Sequence, residues 1–289
     1  MFKDIIKTAR VTHYTKNAFV FAGIIFSRHF TNINDIRLVL LAFLSFCFAA
    51  SAVYFFNDLM DKDFDKLHPT KKDRPIASDK ISVSQVLVIY SLLSLISLFI
   101  SFYFINVITS IIIFLYLVSN IFYSWKLKHI VLLDIFIVAS GFILRVFAGC
   151  FAIGVNVSDW LLLSVLFLSL LLAVSKRRYE YIFNSDKNSP LTRKVILAYD
   201  EKLLDQMISL IASGTVLTYS LYTILNNEIE HLVLTIPIIL YGVFRYLYII
   251  YEKKGGSHPE KELINDKHIL VTVLLWIAIV IFLVTYNGG

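Results

Sequence analysis

The chain has 289 residues, of which 58% are apolar and 17% charged, and a mean hydropathy of +0.74. That balance excludes an ordinary soluble domain and points to an integral membrane protein. The net charge of +6 does not call for nucleic acid, because the bases lie at the ends of apolar runs, where a membrane protein needs them. Cys47 and Cys150 sit inside apolar runs and read as packing residues, with neither a disulfide framework nor a zinc spacing between them.

The first sixteen residues, with Lys3, Lys7, Arg10 and Lys16, predict an amphipathic helix at the membrane surface. The first apolar run, 17–27, ends at Arg28 without a small-residue cleavage site, so it reads as a span rather than a signal peptide. Residues 81–125 contain no Asp, Glu, Lys or Arg. As one helix this run would be about 67 Å long, twice a bilayer core, so it divides into two spans at a turn near Asn106. Nine spans are predicted in all: 17–30, 36–57, 82–104, 107–124, 131–154, 160–175, 204–225, 231–251 and 268–286. No separate soluble domain is long enough to stand out, so residues 1–289 read as a single transmembrane domain.

Charge gives the orientation. Of 27 Lys and Arg, 23 fall on the N-terminal side of the predicted spans, in 1–16, 58–81, 125–130, 176–203 and 252–267. The opposite side has only Arg28 and Arg37, and Arg145 and Arg245 lie within spans. The bias predicts a multi-pass protein of the cell membrane with its N-terminus and long loops in the cytoplasm.

Residues 57–77, NDLMDKDFDKLHPTKKDRPIA, carry the strongest chemical signal. Asn57, Asp61 and Asp65 recur every four residues, and Asp58 lies three before Asp61. A helix continuing through them sets all four on one face. Clustered carboxylates repel unless a cation lies between them, and an oxygen-only set suits magnesium shared with substrate phosphate. Lys71, Lys72 and Arg74 follow at once and suit phosphate oxygens. A solvated, salt-bridged loop between two spans is the alternative. Further along, Lys126 and Lys128 sit at the interface and Asp134 lies just inside the next apolar run, where a lone carboxylate must face the bundle interior. Arg145 shares its face three turns on, too far for direct contact. Lys176, Arg177, Arg178 and Glu180 close the sixth predicted span as KRRYE, either as a membrane anchor or as a phosphate site. Lys16 and Asn17 open the first span. In GGSHPEKELINDKHIL, Gly255 and Gly256 permit a turn, Pro259 suits the start of a short helix, and Glu260 and Asp266 suit loop ordering. Arg245, among aromatics, reads as a structural pairing residue.

NDxxDxxxD followed by HPxKxxRPIA resembles the first aspartate-rich motif of the UbiA superfamily of intramembrane prenyltransferases. The region YSxxLKxxxxxDxxxxAxGFxLRxxAG, residues 123–149, resembles that of its second acidic motif, with Asp134 as the single acid. The KN pair, KRRYE and the GGxxPExxLxxD segment are similar to those of the decaprenyl-phosphate phosphoribosyltransferase branch. The resemblance spans residues 10–270 and implies an all-α bundle of nine transmembrane helices around a central cavity, capped by cytoplasmic loops. It implies magnesium on Asn57, Asp58, Asp61 and Asp65, with Asp134 completing the catalytic acids. It also implies transfer of 5-phosphoribose from phosphoribosyl pyrophosphate to a polyprenyl phosphate. Lys16, Asn17, Asn57, Lys72, Arg74, Lys128, Arg145, Lys176, Arg177, Arg178 and Glu180 are the candidate substrate-binding residues. Joining a prenyl diphosphate to an aromatic acceptor would use the same device, and a transporter of an anionic solute is a third possibility.

Overall fold

A computed structural model describes residues 1–27, 29–68, 71–183, 194–225, 229–256, 262 and 265–286. Its helices, in chain order, are α1 (Phe2–Ala9), α2 (Ala22–Phe26), α3 (Ile33–Met60), α4 (Lys62–Leu67), α5 (Val83–Phe104) and α6 (Val107–Trp125). There follow α7 (Leu133–Ala152), α8 (Asp159–Phe183), α9 (Lys194–Leu197), α10 (Glu201–Leu225), α11 (Ile236–Tyr251) and α12 (Lys267–Tyr286). Among the described residues there is no strand. Among the described residues eight segments are long and apolar enough to cross a membrane: α3, α5–α8, α10, α12, and α11 together with the 3₁₀ turn before it. Helices are the expected solution, since only they satisfy every backbone group of a lone span inside hydrocarbon.

Side-chain caps set where the long helices begin. Asn32 Oδ1 accepts the Asn34 N–H at the start of α3, and Ser82 and Gln85 form a reciprocal capping box on α5. The turn foreseen near Asn106 is present. Asn106 Oδ1 accepts the Thr109 N–H to open α6, and its Nδ2 donates to Phe151 O at 2.8 Å, tying the α5–α6 turn to the end of α7. Small polar residues allow close packing: Ser97 Oγ of α5 donates to Ser45 O of α3 at 2.7 Å.

Three segments depart from the sequence expectation. The surface helix covers only α1, because the chain turns at Arg10, whose φ of 52° is left-handed. The first expected span is not one α-helix. Val11–Phe21 is 3₁₀, α2 follows, and His29–Thr31 is 3₁₀ again, with Arg28 outside the described residues. This segment packs on α3 and α7, and Gly149 is what admits it: any Cβ there would overlap the Val20 carbonyl. The sixth span does not stop at KRRYE. Helix α8 runs on to Phe183, and along it Arg177 and Arg178 pair with acids. Of the loop 176–203, residues 184–193 lie outside the described residues, as do Pro259 and Glu260. Arg245 is structural, as expected: it donates to both oxygens of Asp266 at 3.1 and 2.8 Å.

Candidate functional site

The acidic motif straddles the junction of α3 and α4. Asp61 interrupts the helix with φ −94° and ψ 4°, yet the ladder continues across it, Asp61 N–H donating to Asn57 O and Asp65 N–H to Asp61 O. Asn57 Nδ2 donates to Asp61 Oδ2 at 3.3 Å, as the four-residue spacing requires. Asp58, Asp61 and Asp65 are all buried, so the motif is not a solvated loop.

Each acid meets a base. Arg10 Nη2 donates to Asp58 Oδ1 at 2.5 Å, and its guanidinium lies over the Tyr54 ring. Arg74 Nη1 reaches Asp58 Oδ1 at 3.2 Å and Asp65 Oδ2 at 2.7 Å. Lys128, itself buried, donates to Asp61 Oδ1 at 2.5 Å. Among the described residues no three His, Cys, Asp or Glu side chains converge closely enough to hold a metal ion by themselves. The single nitrogen of Arg74 nonetheless touches two carboxylates, so Asp58 and Asp65 already face one cationic point. Carboxylate oxygens, one or two at a time and completed by water and substrate phosphate, are the donors a magnesium ion takes. The residues present therefore fit that ion in kind. Beside them, burial and the Lys71 charge hold the His68 imidazole below its ordinary pKa.

A cavity of about 270 Å³ opens against this cluster, between the 3₁₀ segment, α3, α6, α7 and α8. Arg10, Lys16, Arg145, Lys176 and Arg177 line it with Asn57, Asp134 and the rings of Tyr54, Tyr116 and Tyr123. Asp134 is fully buried and ion-paired to Arg177 Nε at 2.6 Å. Arg177 also donates to Glu180 Oε2 at 2.5 Å and to Tyr123 OH at 3.2 Å. Arg145 does not meet Asp134. Its Nε donates to Asn17 Oδ1 at 2.7 Å, Nη1 to Gly141 O at 2.6 Å and Nη2 to Tyr116 OH at 3.1 Å. The rings of Phe46, Tyr116 and Phe142 surround its guanidinium at 4.8–5.5 Å.

Two predicted binders stand apart. Lys72 is exposed on the loop after α4 and does not line the cavity. Arg178 turns outward, donating to Asp205 Oδ1 at 2.5 Å with its guanidinium 4.4 Å from the Tyr251 ring centroid. Adjacent helical residues point about 100° apart, so Arg177 and Arg178 cannot share a target. Arg74 and Lys128 stay at the acids, Asn17 lies behind Arg145, and Lys16 and Lys176 reach the cavity itself. Two contributors escape sequence reasoning. Arg10 looks like one more surface base of an amphipathic helix. Tyr199, whose OH donates to Asp134 Oδ1 at 2.7 Å, carries no local signal.

Comparison with known proteins gives the family. The chain is 29% identical to the decaprenyl-phosphate phosphoribosyltransferase of Corynebacterium glutamicum, over 97% of this chain and 86% of that one. It is 32% identical to the enzyme of the same name from Mycolicibacterium smegmatis, over 83% and 78% of the two chains. A UbiA homolog from Archaeoglobus fulgidus, solved bound to GPP and Mg2+, superposes with a TM-score of 0.75 at 19% identity, covering 98% of this chain and 99% of that one. The model of the UbiA prenyltransferase family matches residues 18–263. This chain, a multi-pass membrane protein, thus belongs to the UbiA prenyltransferase family.

Proposed function

We propose that the protein moves 5-phosphoribose from phosphoribosyl pyrophosphate to a long-chain polyprenyl phosphate, releasing pyrophosphate. Relatives bearing the name of that reaction align over nearly the whole chain. The observation that carries the reading is the cavity wall, which presents five bases and one acid directly beside the aspartate cluster. Two substrates bearing three phosphate-containing groups call for several bases along the wall, whereas a prenyl diphosphate brings only one such group. Among the described residues Arg145 has no carboxylate partner, and a phosphate in the cavity would supply its missing counter-charge.

In this reading Asn57, Asp58, Asp61 and Asp65 hold magnesium, which when bound neutralises charge on the departing diphosphate. Lys16, Lys176 and Arg145 bind phosphates from the cavity wall, and Arg10 and Lys128 stand close enough to the acids to serve the diphosphate as well. Arg177 is held between two carboxylates and acts as an oriented donor rather than a loose cation. The acceptor phosphate is already ionised at neutral pH, so the protein's work is positioning and charge stabilisation, with no strong base required. Residues 1–289 form one membrane domain, lying in the cell membrane with the N-terminus and this cavity mouth toward the cytoplasm.

The test uses purified protein in detergent with labelled phosphoribosyl pyrophosphate and decaprenyl phosphate. Labelled lipid, dependent on magnesium and lost with EDTA, is the expected result. Turnover of a prenyl diphosphate with an aromatic acceptor, and none with the phosphoribosyl donor, would replace this reading with that of an aromatic prenyltransferase.

A further inference from the structure

We infer that Tyr199, outside every motif, is a positioning residue that holds the Arg177 guanidinium in register with the cavity through Asp134. Its OH donates to Asp134 Oδ1 at 2.7 Å and accepts the Leu132 N–H at 2.8 Å. Asp134 passes this restraint on with its other oxygen, Oδ2, which lies 2.6 Å from Arg177 Nε. Arg177 donates hydrogen bonds to Glu180 and Tyr123, while its Nε meets Asp134 Oδ2 as an ion pair without an aligned hydrogen bond. A planar fork held by two hydrogen bonds and one close charge contact has little freedom left, so the direction it presents to the cavity is set by its partners.

The backbone supports the same conclusion. Leu132 has φ 69° and ψ −42°, a strained conformation for a residue with a side chain, of the kind kept only where surroundings enforce it. The Tyr199 hydroxyl is what receives its N–H. Tyr199 itself is anchored, since Val195, Ile196 and Tyr199 are all buried in one core cluster with Ile135 and Ala139 of α7. Helix α9 of that segment also packs against the 3₁₀ turn Leu127–His129, which bears Lys128. One short stretch after α8 therefore braces the turn holding Asp61's partner and the pair holding Arg177. Burial, with Asp134 beside it, pushes the Tyr199 hydroxyl above its ordinary pKa, so it remains a donor at any pH the membrane protein meets.

This inference rests on the proposed reaction, and its test separates the two. Phosphoribosyl pyrophosphate binding is measured by calorimetry in detergent with magnesium for wild type, Tyr199→Phe and Asp134→Asn, alongside KM for donor and for decaprenyl phosphate. Tyr199→Phe keeps the ring and its packing and removes only the hydroxyl. The expected outcome is a donor Kd and KM raised about tenfold with the lipid KM unchanged, the loss of one well-placed hydrogen bond to a charged group. A merely structural tyrosine would raise both KM values together or lower Tm without a split. Unchanged donor binding in Tyr199→Phe, with wild type binding well, overturns the positioning role and leaves the reaction standing. Absence of donor binding in wild type overturns both. Should Tyr199→Phe fail to fold, Asp134→Asn must show the same donor-specific loss; equal donor affinity there overturns the inference.

Discussion

Arg145 and Asn17 lie 128 residues apart in sequence and meet at 2.7 Å in the buried interior, guanidinium Nε to amide oxygen. The contact joins the irregular first span to α7 and leaves the charge on Arg145 without an acid among the described residues. Replacing Arg145 by an apolar side chain of similar length relieves an unpaired buried charge but leaves the buried Asn17 Oδ1 without its donor, two effects of opposite sign. Arg145→Met should therefore remain folded with only a modest change of Tm in detergent, while KM for a phosphorylated substrate rises roughly ten- to a hundredfold. Wild-type KM values for both substrates in this variant would make the arginine a packing element.

Orientation is open to direct measurement. Both native cysteines are buried, so added cysteines can be labelled over a quiet background. Lys80→Cys should react with a membrane-impermeant maleimide only in inverted vesicles, and Glu230→Cys only from the outside. Labelling of Lys80→Cys from the outside would reverse the topology drawn from charge.

The spans were legible because hydrocarbon thickness leaves few options: a run of 45 residues without charge, residues 81–125, has to fold back once. The first span was misjudged in form, since nothing local in 17–30 announces that Gly149, far along the chain, lets its backbone approach α7. The acid motif was legible from its four-residue spacing. Its counter-ions were not, because Arg10 is 48 residues away from Asp58 and Lys128 is 67 away from Asp61, and only tertiary packing brings them together. Of the KRRYE residues, Lys176 and Arg177 line the cavity, Glu180 pairs with Arg177, and Arg178 turns to Asp205. Distinguishing Arg177 from Arg178 requires knowing that α8 continues to Phe183 and which face meets α7.

Asp266 gives a pH dependence with a definite sign. Hydrogen bonds from Arg245, then Lys253 and the Ile269 N–H, hold its carboxyl well below the usual carboxylate range. A folded pKa below the unfolded value contributes stability that is complete above about pH 4 and is lost as pH falls toward the folded pKa. Asp266 also caps α12 through the His268 and Ile269 N–H groups. Wild type should thus lose Tm between pH 5 and pH 3 by more than Asp266→Asn does. Parallel curves for the two proteins would show that the cluster does not couple to stability.

Asp61 and Lys128 allow the metal role and the structural role of one acid to be separated. In a solvated loop, the alternative reading of the motif, Asp61 would be exposed and its loss would leave the fold untouched. It is instead buried, and its Oδ1 accepts from the equally buried Lys128. Asp61→Asn leaves that ammonium without its counter-charge, which should cost on the order of 3–5 kcal/mol and lower Tm visibly. Adding Lys128→Met removes the stranded charge and should return most of the lost stability. Turnover should not return with it, because the missing carboxylate is needed for magnesium and the missing base stood beside the diphosphate. Magnesium affinity, read by calorimetry, should stay weak in the double variant even though its fold is restored. If Asp61→Asn with Lys128→Met binds magnesium and turns over as wild type does, Asp61 is a structural partner of Lys128 and the metal belongs elsewhere. Recovery of Tm without recovery of metal binding is the outcome that assigns both roles to Asp61.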